Sequence, residues 1–287
     1  MIALPREGNA APRASRWRKA LILVSALAAF GAASLLLRVY SERAGWSSKS
    51  TAIGGYERLP LPDGSMLELN TGSKVSYRLS ERLRELELAA GEARFRVARH
   101  GERPFVVFAR DTVIRAVGTE FTVRIRDDGK VEVVVAEGVV AVSRRPRQSV
   151  LSRLLHGRVV PLEGGTAVPE KRVATDDGAR LSVVEVTRAR VEAHDAWRND
   201  MLIFEDSPLR EIVNELNRYD RRKLEIADPA IRDVRLGGKY QPREVEGFLQ
   251  NLDAVMQISV VEERSESGDG VVLRIYSDTK KPNESAK

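Results

Sequence analysis

The chain has 287 residues, with 47 Lys and Arg against 41 Asp and Glu, and it contains no cysteine. Without cysteine there are no disulfides, thiolate metal sites or cysteine nucleophiles. The formal charge of +6 is confined to residues 1–50, which hold eight basic and two acidic residues, leaving 39 of each sign in residues 51–287. That larger part has no net pull on a polyanion, which argues against a nucleic-acid partner.

Residues 1–19 form a short tail rich in Ala, Pro and Arg with one tryptophan, Trp17. Such a tail cannot build a core and is expected to be disordered. Ala20 to Leu37 is an uncharged run of eighteen residues. As a helix it would be about 27 Å long, close to the hydrocarbon thickness of a bilayer. A cleaved signal peptide would have a shorter apolar region and a small-x-small site, whereas cleavage after Ala44 would put Glu42 at the minus-three position. Residues 20–38 are therefore expected to be a single transmembrane helix. Arg6, Arg13, Arg16, Arg18 and Lys19 precede it and Arg38, Arg43 and Lys49 follow. This excess predicts a cytoplasmic N-terminus with the bulk of the chain on the other side of the membrane.

Residues 51–143 read as an all-β domain. Leu67 and Leu69, Leu86 and Leu88, Phe95 and Val97, Ile114 and Ala116, Phe121 and Val123, Val131 to Val135, and Val140 and Val142 all fall at alternate positions. This spacing turns one face of each strand into a core. Asp63-Gly64, Asp127-Asp128-Gly129 and Glu137-Gly138 supply tight turns. With no helical window between the runs, the expected architecture is a β-roll, sandwich or solenoid.

Residues 144–200 are read as a β extension and connector. Arg144, Arg145 and Arg147 open an insertion or short helix over 144–158. The weakly patterned residues 169–195 are expected to connect, with a helical piece near 181–197. From 201 to 278 the pattern predicts a small α+β domain of order β-α-β-β-α-β-β. Leu202 to Phe204 is its first strand, and Ser207-Pro208 opens a helix with Pro at the first helical position. Leu209, Ile212, Val213 and Leu216 form the apolar stripe of that helix. Pro242 opens a second helix whose stripe is Val245, Phe248, Leu249, Leu252, Val255 and Met256, and a hairpin across Gly268-Asp269-Gly270 closes the domain. Both helices are expected on one sheet. Residues 279–287 are a disordered tail.

No enzyme motif is present: no nucleophile elbow, zinc-protease helix, P-loop or dinucleotide fingerprint. His100, His156 and His194 are scattered without metal-ligand spacing. His194-Asp195 is read as a surface or cap pair, and Asp127-Asp128-Gly129 as a turn that lacks the spaced ligands of a calcium loop. The chain is expected to be a non-enzyme with no cofactor and no metal.

Several segments, in order, resemble the FecR domain of bacterial transmembrane sensors. They are Leu61-Pro62-Asp63-Gly64-Ser65 with Leu69-Asn70-Thr71-Gly72-Ser73, Gly91-Glu92-Ala93-Arg94-Phe95-Arg96-Val97-Ala98, Arg103-Pro104-Phe105-Val106-Val107, Val117-Gly118-Thr119-Glu120-Phe121-Thr122-Val123-Arg124, and Val133 to Val142 around Glu137-Gly138. Ser207 to Tyr219 resembles the family's C-terminal domain, which is similar to the short N-terminal domain of secretins and TonB-dependent receptors.

The resemblance implies an anti-sigma regulator in the bacterial inner membrane, with its C-terminal domains in the periplasm. Its implied partners are the signalling domain of an outer-membrane TonB-dependent receptor for a ferric chelate and an extracytoplasmic-function sigma factor. It places partner binding in the region of Leu202, Phe204, Leu209, Ile212, Val213, Leu216, Asn217 and Tyr219. Some members cut themselves at a Gly-Thr bond, here Gly118-Thr119, although a turn at Gly118 followed by a strand is the preferred reading of the pair. The FecR domain also occurs in envelope architectures, so a membrane-anchored scaffold or cell-wall-binding module stands as the alternative.

Overall fold

In the computed structural model the described residues are 30–31, 45–145, 165–264 and 270–277. The expected membrane helix over 20–38 lies outside them except for Phe30 and Gly31, which are helical. Among the described residues no helix is long and apolar enough to cross a membrane. The tails at 1–19 and 279–287 and most of the 144–158 insertion likewise lie outside.

Alternation dictates the first architecture. Sheet 1 contains β1 (Ser47–Ser50), β4 (Lys74–Leu79), β5 (Arg84–Ala90), β7 (Phe105–Ala109), β8 (Thr112–Ala116), β11 (Val139–Arg144) and β12 (Thr166–Pro169), hydrogen-bonded in that order. Sheet 2 runs in the order β14 (Leu181–Glu185), β13 (Arg172–Asp176), β10 (Val131–Glu137), β9 (Glu120–Ile125), β6 (Glu92–Arg96), β3 (Met66–Leu69) and β2 (Glu57–Pro60). The chain passes from one sheet to the other every one or two strands, so the expected roll is realised as two stacked sheets. All pairings in the stack are antiparallel except that of β5 with β7. Every second side chain from both sheets enters one core, including Leu67, Leu88, Phe95, Phe105, Phe121, Val133 and Val140. Phe95 stacks on Phe121 at 5.1 Å and meets Phe105 edge-on at 6.0 Å. Each such ring contributes about 2–3 kcal/mol through burial.

Two local devices explain the turn motifs. The fully buried Arg84 guanidinium donates to Asp63 Oδ2 at 2.8 Å and to the carbonyls of Ala98 (3.0 Å) and Arg103 (2.8 Å). Asp63 in turn accepts from the backbone and hydroxyl of Ser65, pinning the Leu61–Ser65 turn. Gly91, at φ +79°, passes so close to Ser73 that a Cβ there would lie 2.6 Å from its Cα. This lets the Ser73 hydroxyl accept from Glu92 N and donate to Glu92 O.

The expected connector is largely strand. Residues 172–176 and 181–185 are β13 and β14, and only residues 188–195 are helical. Their pattern is weak because β14 is an edge strand with one open face, where Val184 is 59% exposed. Helix α1 (Arg188–Asp195) is capped by the Thr187 hydroxyl accepting from Arg190 N, and packs Val191 on Val134 and Val173 of sheet 2. A 3-10 turn, Ala196–Asn199, follows.

The α+β module has the expected order: β15 (Leu202–Pro208), α2 (Leu209–Leu216), β16 (Lys223–Ile226), β17 (Arg235–Tyr240), α3 (Val245–Met256), β18 (Ile258–Arg264) and β19 (Val271–Ser277). It holds two sheets rather than one, β15-β17 and β16-β19-β18. Pro208 is extended and caps α2 from outside, because β15 pairs through to Arg235. The first free amides of α2, on Leu209 and Arg210, donate to the carbonyls of Val234 and Arg232. α3 begins at Val245, three residues after Pro242. Its last turn overhangs the core, leaving Val255 71% exposed. The module has its own core around Leu209, Ile212, Leu216, Phe248 and Ile275.

Candidate functional site

The outward face of sheet 2 is charged, and the register sets opposite signs across from one another. Glu68 of β3 faces Arg94 of β6, Glu92 of β6 faces Arg124 of β9, and Arg96 faces Glu120. On a solvated sheet such pairs contribute only about 0.2–1 kcal/mol each. Here the face is covered. Glu68, Glu92, Arg94 and Thr122 are buried beneath α1, the 3-10 turn and α2.

The covering elements answer each charge. Arg198 reaches Glu68 at 2.7 Å, and Asp195 meets Arg94 at 3.3 Å and accepts from the Thr122 hydroxyl at 3.0 Å. At the end of α2 a continuous chain runs Arg124–Glu215–Arg218–Glu92, with spacings of 2.7, 2.5 and 2.7 Å. Asn70 donates from Nδ2 to both Glu92 (2.9 Å) and the Tyr219 hydroxyl (2.8 Å), while the Thr71 hydroxyl donates to the Arg218 carbonyl at 2.8 Å. Arg243 donates to the Gly54 carbonyl, and Tyr56 lies edge-on to Trp197 at 5.7 Å. The Asn70-Thr71 pair of the β domain is therefore joined directly to Arg218-Tyr219 of the α+β module.

Burial and charge compete in this seam. Burial pushes the Glu215 carboxyl up, but the guanidinium groups of Arg218 and Arg124 outweigh it and hold the acid at about 2. Burial works against the Arg218 cation, yet Glu215 and Glu92 raise it further above its ordinary value. Burial, then the Glu215 charge, raises Tyr219, keeping its hydroxyl protonated and able to bond. Asp195 is raised by burial despite Arg94 beside it.

The residues expected to meet a partner are mostly interior. Leu202, Leu209, Ile212, Val213 and Leu216 are buried in the module core, and Phe204 packs against it. Their helical and strand spacing is the spacing of core residues, and Leu202 and Phe204 also line a cleft. Asn217 is a staple, its amide exchanging bonds with Leu224 N and O at 2.7 and 2.9 Å. Of that set only Tyr219 joins the seam.

The pair Gly118-Thr119 stands apart from it. Gly118 takes φ +64°, and the Thr119 carbonyl accepts from Val97 N. The Thr119 hydroxyl is buried without a hydrogen-bond partner. Among the described residues no group of three or more His, Asp or Glu side chains could hold a metal ion.

Residues 48–141, spanning nearly all of β1 to β11, match the family model described as FecR protein. The chain carries a FecR domain. The match ends before β12, β13 and β14, which complete the two FecR sheets. Among characterised proteins, none matches this sequence. Two crystal structures of a candidate anti-sigma factor from Parabacteroides distasonis ATCC 8503, at 1.65 and 2.50 Å resolution, share the fold. They are 20% and 21% identical, with TM-scores of 0.62 and 0.60, and each covers 80% of this chain and 99% or 98% of its own. At that coverage the similarity extends beyond the FecR match.

Proposed function

We propose that this chain is an anti-sigma regulator of the FecR type. In this reading residues 20–38 anchor it in the bacterial inner membrane with a cytoplasmic N-terminus, and the FecR domain and α+β module lie in the periplasm. The module receives the periplasmic signalling domain of a TonB-dependent receptor, and the signal passes through the FecR domain to an extracytoplasmic-function sigma factor. The observation that supports this best is the seam. Arg218 and Tyr219 of the module bond directly to Glu92 and Asn70 of FecR motifs, so a force on the module reaches the FecR sheet. The FecR match and the fold shared with candidate anti-sigma factors support the same reading.

The test is genetic and biochemical together. Deleting the gene is expected to change transcription from one sigma-factor regulon, and the full chain is expected to retain a receptor signalling domain in a pull-down. Unchanged transcription, with the chain recovered in the cell-wall fraction, would instead place it with envelope scaffolds.

A further inference from the structure

A cleft of about 240 Å³ opens between α1, β15, α2 and the outer face of sheet 2. Three features of its lining take no part in the seam. The first is an unpaired strand edge. β15 is bonded to β17 along one side only, and Leu202 to Glu205 line the cleft consecutively. The second is Ile203. Its neighbours Leu202 and Phe204 point into the module core, so alternation turns Ile203 the other way, and it belongs to no core cluster. The third is charge. Of the five carboxylates in the lining, Glu92 and Glu215 are held by Arg218 and Arg124. Glu132, Glu205 and Glu211 form no ion pair, and Arg190 is the one lining arginine likewise unpaired among the described residues.

We infer that this cleft receives an extended segment of a partner protein, which adds to β15 as a third strand and carries an apolar residue followed two positions later by Lys or Arg. Strand addition supplies main-chain hydrogen bonds to the free edge, and side chains on one face set the preference. Ile203 and Glu205 are two residues apart and both line the cleft, so an apolar side chain meets the first and a cation the second. Glu132 and Glu211 reinforce the cation. The register shift after Phe204, with Asp206 at φ +48°, confines the added ladder to the start of β15. The inference rests on the proposed relay only for the identity of the partner.

The experiment uses the full chain and fluorescein-labelled peptides of about seven residues, a strand's usual length. One alternates Val and Lys, a second alternates Val and Glu, and a third is the Val-Lys peptide with alternate backbone amides N-methylated. Fluorescence anisotropy is expected to show the Val-Lys peptide binding at least ~10-fold more tightly than the other two. The Glu205→Lys/Glu211→Lys chain is expected to reverse the Lys-over-Glu preference. Amide exchange at Ile203 to Glu205 should slow on binding while exchange in β7 and β8 stays constant.

Equal binding of the Lys and Glu peptides, or undiminished binding of the N-methylated peptide, overturns the inference. A receptor signalling domain that binds the chain but ignores saturating Val-Lys peptide and the double substitution also overturns it, leaving the relay intact. Peptide binding with the stated preferences, but no receptor domain bound, would sink the relay and leave the cleft as inferred.

Discussion

Glu215→Gln is the sharpest probe of the seam. Glu215 bonds Arg124 of the FecR domain at 2.7 Å and Arg218 of the module at 2.5 Å. In the variant Arg218 keeps Glu92, but Arg124 loses its ion pair and is left with the weaker attraction of Glu92 and Glu132 against the repulsion of Arg218. Breaking a buried pair by removing one partner typically costs ~3–5 kcal/mol. Arg124 is 20% exposed, so water recovers part of this and the expected loss is ~2–4 kcal/mol. An independent route agrees: depressing the acid from 4.5 to about 2 corresponds to ~3 kcal/mol of stabilisation by linkage.

The assay is hydrogen exchange of the full chain under increasing urea. Amides of α2 and β6 should lose about that much protection while those of β7 and β8 keep theirs. A double-mutant cycle of Glu215→Gln with Arg218→Met should give a coupling of ~1–3 kcal/mol. A loss below ~0.5 kcal/mol, or equal loss at β7, would refute a localised ionic latch.

The same carboxyl sets an acid window. Its folded value is lowered, so its contribution is complete above the unfolded value near 4.5 and disappears as pH falls toward 2; urea midpoints measured across that range should fall more steeply for the native chain than for Glu215→Gln. Arg84→Lys should cost ~2–4 kcal/mol in denaturant unfolding, because one ammonium cannot reach both Asp63 and the Arg103 carbonyl. Gly91→Ala should cost at least ~2 kcal/mol by the same measurement, since its φ is positive and the added carbon collides with Ser73. Thr119→Val, which removes a buried hydroxyl that has no partner, should leave stability unchanged or raise it by ~1 kcal/mol. On a denaturing gel the native chain should run as one band. Two fragments meeting at Gly118-Thr119 and absent from Thr119→Ala would instead establish self-cleavage.

The fold was legible where one face of an element is apolar and the other polar. Period-two runs located the strands of residues 66–69, 92–96, 112–116 and 120–125, and period 3.6 located both helices of the module. The alternation failed at β14, an edge strand that buries none of its residues fully, and at β13, where Arg172, Thr175 and Asp176 dilute the pattern of an interior strand. It also misplaced the start of α2, because Pro208 is compatible with a strand end as well as with a first helical turn. The seam was hidden for a different reason. Glu68, Glu92, Arg94 and Arg124 stand where a solvated face would put them, and nothing local distinguishes a polar face in water from one covered by a second domain. The available clue was registration: opposite charges on neighbouring strands, facing one another, beside Glu215 and Arg218 spaced for one face of a helix.

The two main cores share no residue, and beside the small apolar contact of Val191 with Val134 and Val173 it is the seam that couples them. An apolar interface would hold the module by area, at about 25 cal/mol per Å² buried, and would release it only as a whole. Ion pairs behave differently, because each gains little over its separated, hydrated ions and depends on the geometry of its neighbours. Glu92, Arg124 and Glu215 line the cleft as well as the seam. A cation carried into the cleft by an added strand therefore approaches the same carboxylates that Arg124 and Arg218 use. If it weakens those pairs, the pairs must weaken its binding by the same factor, since coupling between two sites is reciprocal. Arg124→Met, which leaves Glu215 with Arg218 as its one ion-pair partner, should then tighten the Val-Lys peptide by the factor by which the peptide loosens α2 in hydrogen exchange. Tightening without loosening would mean that the cleft and the seam are merely neighbours.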